Sequence, residues 1–586
     1  MKKISIKMYA IGVVGLLSIA SCDDLMDRKP LNIISEAVVY DDPVLAEAYV
    51  ANVYSGLSFL NRDGGGDENI DPVTQMSDEA RHGSIWSNHI KWKAGYMDYS
   101  GGFLERWNYT TIRKANDFLV KIQNTTLPEA TKIDMIARMR FARAILYFVM
   151  VERYGGVPII TIPQPIDGSY EELFVSRNKE IEVYDFIINE MNEIFNDLPS
   201  KAKVGYPSKW TAQALKSRAA LYAASIATWG EVQINGLVGI PANEASRFWQ
   251  ASYDASNAIM QSKVYSLYNK QPDNKAENFR KLFTTENNSE VIFSWQLTGN
   301  NVGTDFDEFM SPCQFVSSGG ARTGVYLEMV EEFENVDGSP HNFDVALATS
   351  QPWDLKEFFA KKDPRFHASV VYEGITYRNE VVQHWRGTIL PDGTRITTGD
   401  YDGKPARGKS YDDAYDTSGA SATGFTVLKY LDETLNPIGY GKSKVDFIVF
   451  RYGEILLNLA EAAFELGKTD EALAAVNAIR ERAGMPLLTS ITRDQIRHER
   501  KVELAFEAHR WWDLKRWRIA EEAITRVFRG IDTWRDAVTG KFVIEMIENA
   551  HDAELQSKFL KRHYYFPITT GRITNNPNLA PENPGY

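Results

Sequence analysis

The sequence predicts a mainly α-helical protein, in which tetratricopeptide-like helical repeats form a scaffold with long irregular loop insertions and a few short strands. Three observations support this fold class. Two blocks of helical periodicity, about residues 42–262 and 446–530, bracket the chain. A helical hairpin of repeat length lies in the second block. Residues 263–445, between the blocks, are rich in Gly, Asp, Asn, Ser and Thr. Because stacked repeats extend a single folded unit, we expect residues 22–586 to form one domain.

The N-terminus has the features of a bacterial lipoprotein signal. Three lysines are followed by an apolar run from Met8 to Ala20, which is too short to span a bilayer. The tetrapeptide ending at Cys22, Ile-Ala-Ser-Cys, resembles the lipobox, in which the signal is cut before the cysteine and the thiol is acylated. One acyl chain binds membranes weakly, so a multiply acylated terminus makes physical sense. We predict a signal peptide at 1–21 and a lipid anchor on Cys22.

The first helical block contains four segments with apolar residues at helical spacing. They are residues 135–158, 180–199, 211–230 and 245–262. Gly and Pro residues end the first two of these patterns. Small side chains in 211–230 allow two helices to pack closely. An irregular stretch, 61–104, interrupts the block.

The middle of the chain, residues 263–445, predicts loops with short strands. Residues 290–297 and 367–374 have the composition of β-strands. Loops this long in a compact protein usually carry function. We therefore expect ligand-binding insertions at about 61–104 and 263–445.

The second helical block contains the hairpin that indicates repeats. Residues 450–484 form two amphipathic helical patterns joined by a turn at 467–470, about 34 residues in all. Alanines at 460, 463 and 472 supply small packing positions. Such hairpins bury their apolar faces by stacking, which predicts a superhelical bundle.

Charge and composition disfavour several classes of ligand. The whole chain carries a formal charge of −13, which disfavours nucleic acid, anionic membrane surfaces and strongly polyanionic ligands. No further apolar run near 18 residues follows the signal. The chain has two cysteines, and their wide separation gives a disulfide between Cys22 and Cys313 little support.

No motif in the sequence predicts an enzyme. His498 has no second histidine four places on, as a zinc helix needs. Residues 419–423 lack the final glycine of a nucleophile elbow, and the Gly-rich stretch 63–69 is not followed by the Lys-Ser/Thr of a phosphate-binding loop. We predict no catalysis and no cofactor, and the spacing of the nine histidines and the carboxylates permits no assignment of metal ligands.

Sugar binding requires aromatic faces for stacking and polar side chains for hydroxyls. The loops offer this mixture, and 12% of all residues are aromatic. The candidate carbohydrate-binding residues are Asp67, Asp78, Arg81, Trp86, Trp92, Cys313, Arg322, Glu380, Trp385, Arg386 and Tyr411. A second set, in the helical motifs, is expected to form scaffold ion pairs or to pack the last helices: Arg480, Arg482, Glu499, Arg500, Glu507, Arg510, Trp511, Trp512 and Trp517.

Several segments resemble the SusD/RagB family of outer-membrane surface lipoproteins of Bacteroidetes. They include "RFARAILYFVMVERYGGVPII" (140–160), "RYGEILLNLAEA" (451–462), "ERKVELAFEAHRWWDLKRW" (499–517) and the C-terminal "YYFPITTGRITNNPNLAPENPGY" (564–586). Acidic residues directly after Cys22 resemble the surface-export signal of such lipoproteins. Ala508 stands where many members have glycine.

The resemblance implies a non-catalytic protein anchored in the outer membrane by lipid and facing the cell exterior. It would capture oligosaccharides and deliver them to a TonB-dependent, SusC-like transporter, with a dimer of the pair as the expected assembly. An oligopeptide binder of the RagB type with the same architecture is the alternative. A pure interaction scaffold without a small ligand is a third hypothesis. Family loops vary in length, so no ligand contact is transferred residue by residue.

Overall fold

The computed structural model describes residues 36–60, 72–83, 88–98, 104–165, 167–297, 303–316, 319–411, 423–550 and 555–586. Helix predominates in these ranges, as the sequence predicts. The helices of the described ranges are α1 Glu36–Asp41, α2 Pro43–Ser55, α3 Pro72–Met76, α4 Asn88–Lys93, α5 Tyr109–Lys121, α6 Glu129–Tyr154, α7 Tyr170–Leu173, α8 Glu180–Glu193, α9 Lys209–Trp229, α10 Ala245–Ser262, α11 Lys275–Thr284, α12 Phe306–Met310, α13 Leu327–Glu332, α14 Val345–Ser350, α15 Leu355–Phe358, α16 Pro364–Ser369, α17 Tyr452–Glu465, α18 Thr469–Ala483, α19 Arg493–Glu503, α20 Arg510–Arg516, α21 Ala520–Ile524 and α22 Thr570–Asn575.

The strands are short and form small sheets. They are β1 Ala80–His82, β2 Val291–Trp295, β3 Thr323–Val325, β4 Val370–Val371, β5 Thr376–Tyr377, β6 Glu380–Val381, β7 Gly387–Ile389, β8 Arg395–Ile396, β9 Asp400–Tyr401, β10 Lys404–Pro405, β11 Thr426–Val427, β12 Phe447–Arg451, β13 Gly530–Asp536 and β14 Phe542–Ile547. Two sheets have four strands, in the orders β1-β3-β11-β4 and β14-β13-β7-β8. Each draws strands from distant parts of the chain.

The long helices pack side by side in one continuous row. Helix α6 packs on α8, α8 on α9, α9 on α10, α10 on α17 and α17 on α18. Helices α9 and α10 form one hairpin, and α17 and α18 form the hairpin that the sequence predicts. The alanines at 460, 463 and 472 are fully buried between helices. The contact of α10 with α17 joins the two helical blocks into one row.

Local sequence signals set the ends of these helices. Ser208 caps α9 by accepting a hydrogen bond from the backbone N–H of Thr211 at 3.2 Å. Gly155 follows the end of α6 with a φ of 69°, and Gly484 follows α18 with a φ of 78°. Glycine adopts these positive φ angles without steric cost, which explains the stop at each position.

The middle of the chain is more ordered than the sequence predicts. It contains helices α11 to α16 as well as strands β2 to β11. Strand β2 confirms the prediction for 290–297. The prediction of a strand over 367–374 is wrong in its first half, because α16 runs to Ser369 and only Val370–Val371 is extended. Asp363 caps this helix by accepting from the N–H of Arg365, and Pro364 fits its first turn.

Buried ion pairs join the second helical block to the middle of the chain. Arg451, at the end of β12, contacts Glu290 at 2.7 Å, Glu503 at 2.8 Å and Glu507 at 2.7 Å. Arg365 of α16 contacts Glu503 as well, at 3.1 Å. All of these side chains are buried. Burial alone would raise the pKa of Glu503, but the surrounding arginines outweigh it and hold that pKa below its ordinary value.

The scaffold role predicted for the helical motif residues is confirmed. Each predicted charged residue has a partner of opposite charge. The pairs are Arg480–Glu499, Arg482–Glu503, Arg500–Asp513, Glu507–Arg451 and Arg510–Asp78. Trp511 and Trp517 are 2% exposed and Trp512 is 6% exposed, so all three pack in the core.

Candidate functional site

One surface of the middle region brings together several of the predicted loops, and we call it the loop face. It consists of residues 303–316, 319–325, 376–386, 404–411 and 432–443. Pairing of strands brings distant segments together here, because β3 lies between β1 and β11 in one sheet. A backbone hydrogen bond extends this pairing beyond β1, since the N–H of Gly83 donates to the carbonyl of Arg322 at 2.6 Å.

Gln314 ties three segments of the loop face together. Its side-chain amide donates to the carbonyl of Val381 at 3.1 Å. Its side-chain oxygen accepts from the N–H of Gln383 at 2.8 Å and from the hydroxyl of Ser410 at 3.0 Å. Because one side chain satisfies all three groups, the relative position of these segments is well determined.

A tight hairpin, β5–β6, projects from the loop face. Its two turn residues, Arg378 and Asn379, have φ angles of 53° and 62°, as a two-residue hairpin turn requires. The side chain of Arg378 donates to the carbonyl of Leu435 at 2.5 Å, and its N–H donates to Glu433 at 3.0 Å. The hairpin is thus fixed to the neighbouring segment, and it presents Glu380 to solvent.

An aromatic and cationic cluster lies at the centre of the loop face. The Arg322 guanidinium stacks on the ring of Phe309, with 3.7 Å between its carbon and the ring centroid. The ring of Tyr440 meets Phe309 edge-on at 5.5 Å. Phe309 is buried, whereas 54% of the surface of Tyr440 is exposed. The cluster therefore offers one flat apolar surface next to one cation.

Three other predicted residues also lie on the loop face and are accessible. Glu380 is exposed, and 45% of the Arg386 side chain is exposed beside Asp532, which it contacts at 2.6 Å. Cys313 is partly exposed, and its thiol lies 3.6 Å from the carbonyl of Gly319. These positions are compatible with ligand contact.

Two residues predicted to bind ligand are instead parts of the scaffold. Asp78 is 5% exposed, and its carboxylate contacts Lys501 at 3.0 Å and Arg510 at 2.8 Å. Arg81 is 3% exposed and donates to the carbonyl of Ala550 at 2.8 Å. Both side chains would have to give up buried interactions to reach a ligand, so we remove them from the candidate site.

Trp385 and Tyr411 are also buried, each with 8% of its surface exposed. The indole N–H of Trp385 donates to the carbonyl of Ala406 at 3.2 Å, and its ring packs against Phe542. Tyr411 lies under the guanidinium of Arg407, 5.2 Å from the ring centroid. Neither ring exposes a face large enough for a sugar to stack on, so they support the loop face from below.

The first predicted insertion contributes less to the loop face than expected. Trp92 lies on α4, is partly buried and packs against the hydrophobic core. The next residue, Lys93, accepts from the N–H of Lys558 at 2.8 Å through its carbonyl, which places this helix against the C-terminal segment. Asp67, Trp86 and the anchor Cys22 lie outside the described residues and stay predictions.

Sequence reasoning missed Tyr440 and Phe309. Tyr440 follows a Pro and a Gly in the loop "NPIGYGKS" (436–443), where an aromatic residue has no periodic neighbours to pack against. That isolation is a usable signal for an exposed ring. Phe309 carried no such signal, because its role depends on a contact with Arg322 that only the fold creates.

A buried carboxyl group supports the loop face. Glu373 is 2% exposed and accepts a hydrogen bond from the backbone N–H of His384. Burial raises the pKa of Glu373 to about 8, so this group is mostly protonated at neutral pH. Burial also lowers the pKa of His384 to about 4, so the imidazole packed against Tyr411 is neutral.

A cavity of about 640 Å³ lies in the helical repeats, where the sequence predicts none. Its walls come from α10, α17, α18 and the loop after α10, and they carry the rings of Tyr265 and Tyr452 beside leucines and alanines. Its volume is within the range of small-molecule sites. The expectation that stacking consumes the repeat faces therefore does not hold at this hairpin.

The described ranges contain no group of three His, Cys, Asp or Glu residues placed to hold a metal ion. Within the same ranges, every helix is too short or too polar to cross a bilayer.

Comparison with known proteins shows to which family this chain belongs. The model of the SusD family matches residues 289–586, just over half of the chain, and these residues include the loop face. A second model, described as starch-binding and associating with the outer membrane, matches residues 26–221. The chain belongs to the SusD family. A SusD-like protein of Bacteroides ovatus is 23% identical over 529 residues, covering 87% of this chain and 82% of that protein.

Solved structures share the fold over nearly the whole chain. A SusD-like protein from Bacteroides fragilis is 25% identical, with a TM-score of 0.71, and covers 95% of this chain and 100% of its own. A SusD-like carbohydrate-binding protein from the same species is 23% identical, with a TM-score of 0.70 over 92% and 100% of the two chains. A laminarin-binding SusD-like protein is 20% identical, with a TM-score of 0.60 over 93% and 99%.

Proposed function

We propose that this protein is a cell-surface lipoprotein that captures oligosaccharides and delivers them to a TonB-dependent transporter of the outer membrane. The observation that carries the proposal is the SusD family match to residues 289–586, because these residues include the whole loop face. Two structural relatives are carbohydrate-binding proteins, and one of them binds laminarin. A family description that includes outer-membrane association supports the location.

The loop face has the chemistry that sugar binding requires. The exposed ring of Tyr440 supplies a stacking surface, and Glu380, Arg386 and Arg322 supply acceptors and donors for hydroxyl groups. The guanidinium groups of Arg322 and Arg386 are held by the Phe309 ring and by Asp532, so these two side chains lose little entropy when a ligand binds. The protein acts by binding and handing over its ligand, with no chemical step.

The test is a calorimetric screen of the mature chain, residues 22–586, against glycans and peptides. We expect at least one glycan to bind and peptides not to bind. Tyr440→Ala should weaken glycan binding by about 1–3 kcal/mol, the value of one stacking ring, or roughly 5- to 150-fold. The matched control is Tyr452→Ala, which removes a ring from the repeat cavity and should bind as the wild type does.

The outcomes separate the hypotheses. Binding of peptides alone would favour the oligopeptide-binding alternative. Loss of glycan binding in Tyr452→Ala, with Tyr440→Ala unaffected, would move the site from the loop face to the repeat cavity. If neither glycans nor peptides bind, the proposed function is wrong and an interaction scaffold is favoured.

A further inference from the structure

The charge of Arg322 is not balanced by any described residue. No described residue forms an ion pair or a hydrogen bond with its guanidinium, which lies over the ring of Phe309. Gly319 lies beside this stacked pair, where an added Cβ would come within 3.2 Å of the Phe309 ring and 3.3 Å of Arg322 Nε. The guanidinium is therefore held on the ring with the backbone of Gly319 at its edge, while the residue as a whole is partly exposed.

This geometry prepares the guanidinium for an anionic ligand group. A guanidinium that stacks flat on a ring keeps its in-plane N–H groups free to form two parallel bonds with a carboxylate or a sulfate. Because the group is already positioned, little side-chain entropy is lost on binding. Arg386, also on the loop face, differs in that Asp532, 2.6 Å away, already balances its charge.

The ring of Tyr440 gives this cation a sugar platform. Tyr440 and Arg322 both contact the ring of Phe309, at 5.5 Å and 3.7 Å from its centre. A pyranose stacked on Tyr440 with a ring substituent directed toward Phe309 would approach Arg322. Asp305, next to the helix that carries Phe309, accepts from the N–H of Gly441 through one carboxylate oxygen at 2.6 Å. Its second oxygen is oriented by this bond and suits a sugar hydroxyl. The two other carboxylates of the helix, Asp307 and Glu308, are fully buried.

We propose that the loop face contains a subsite for an acidic sugar, a uronic acid or a sulfated residue, with its anionic group on Arg322 and its ring on Tyr440. This inference rests on the proposed function and specifies its ligand class. The net charge of −13 opposes a dense polyanion. Exposed charges more than about 8 Å away are largely screened at physiological salt, so a single acidic residue at this subsite meets mainly Arg322.

The experiment compares three oligosaccharide probes by calorimetry on the mature chain. They are a galacto-oligosaccharide that carries one galacturonic acid residue, the methyl ester of the same compound, and a galacto-oligosaccharide that carries one sulfate group. We expect an acidic probe to bind at least about tenfold more tightly than the neutral ester, since a hydrogen bond to a charged group contributes more than a neutral one. The carboxylate and the sulfate probes show which anion the subsite prefers. Raising NaCl from about 50 to about 500 mM should weaken this binding.

The variants assign the effect to Arg322. Arg322→Gln should lose the preference for the acidic probe and its salt dependence, and Arg322→Lys should retain part of both. Arg395→Gln is the control, because it removes an exposed arginine that pairs with Glu545 elsewhere in the middle region.

Equal binding of neutral and acidic probes, or an unchanged preference in Arg322→Gln, would overturn this inference while leaving glycan binding intact. If Arg322→Gln fails to fold, the wild-type protein still tests the subsite, because its affinities for the acidic probe and for the methyl ester show whether an anionic group is preferred. Absence of binding by every glycan would overturn the proposed function itself.

Discussion

The candidate ligand-binding residues fall into two groups, those that the fold buries and those that it leaves exposed. Asp78, Arg81, Trp385 and Tyr411 are at most 8% exposed, and each interacts with other parts of the protein. Tyr440, 54% exposed, lies in a loop without neighbours of helical or strand spacing. The residue type alone does not distinguish these cases, because Trp, Tyr, Arg and Asp serve both cores and sugar sites.

Glu373 gives the stability of the protein a specific pH dependence. Its folded pKa of about 8 lies above the ordinary value of 4.5, so the folded state holds a proton that the unfolded state releases. The free energy of unfolding should therefore fall as pH rises between about 4.5 and 8, by at most about 1.4 kcal/mol per pH unit. Glu373→Gln should remove this contribution and be more stable than wild type at pH 8. Urea unfolding at several pH values measures it; a constant difference between the two proteins across this range would contradict the assignment.

Substitutions of Trp517 and Trp86 by alanine compare a tryptophan of the scaffold with a tryptophan predicted to bind ligand. Trp517 is 2% exposed and donates from its indole N–H to Glu461 at 2.7 Å. Trp517→Ala should cost about 3–5 kcal/mol of stability and spare binding in the molecules that stay folded. Trp86→Ala should melt near the wild type and lose about 1–3 kcal/mol of glycan affinity. A Trp86→Ala protein that binds normally but melts many degrees lower would place Trp86 in the core.

At the level of secondary-structure elements, the ion pairs of Arg451 connect β12 with the start of β2 and the end of α19. Three carboxylates, Glu290, Glu503 and Glu507, share this one side chain. Removing a buried partner leaves charge without compensation, which costs more than the pair contributes in isolation. The network therefore fixes the second helical block to the middle region.

Arg451→Met tests this role. We expect a loss of about 3–5 kcal/mol in the free energy of unfolding, because the carboxylates stay buried with fewer partners. Arg247→Met is the control: Arg247 is 45% exposed and pairs with Asp185 on the surface, so its loss should cost about 0–1 kcal/mol. Urea unfolding of both variants gives the comparison. Similar losses in the two variants would show that the buried network contributes no more than a surface pair.

At the scale of the whole molecule, the long helices of both helical blocks form one continuous row. Contact between α10 and α17 joins helices that are far apart in sequence. In the proposed function, this row and the loop face meet a transporter, and the N-terminal segment attaches the protein to the membrane. Two predictions follow from that arrangement.

Cys22→Ala should leave the protein folded but detached from the outer membrane. The reason is that acylation of Cys22 is the anchor we predict from the lipobox, and the described helices provide no membrane span. Cell fractionation in a strain without the partner transporter measures it. The anchor hypothesis fails if the variant stays in the outer-membrane fraction of that strain.

The protein should purify in a complex with a TonB-dependent transporter. Mild detergent extraction followed by affinity purification of this chain should recover the barrel, as a dimer of the pair. Crosslinking before extraction provides a second measurement on the same cells. Repeated recovery of this chain alone, without crosslinks to a barrel, would contradict the expected partnership.

The sequence predicted the mainly helical fold class, the main helices and the hairpin of repeat length. It could do so because helical periodicity and the Gly or Pro residues that end helices are local signals, which depend on only a few turns of chain. Residues 451–462 and 135–154 carry those signals in full. The ion-pair role of Arg480, Glu499 and Arg510 also followed, since a charged residue within an apolar helical pattern needs a partner. The repeat cavity could not be predicted, because it depends on how α10, α17 and α18 pack.

The candidate site was decided by tertiary structure. Loop composition gave Arg322, Glu380 and Arg386 as candidates, but also Asp78 and Trp385, which the fold buries. Whether a polar or aromatic side chain in a loop reaches solvent depends on which distant segment covers it. Strand β3 lies between β1 and β11, and Tyr440 meets Phe309 from a segment far along the chain. Local periodicity contains no information about such long-range pairings, so the sequence determined the scaffold and the fold determined the surface.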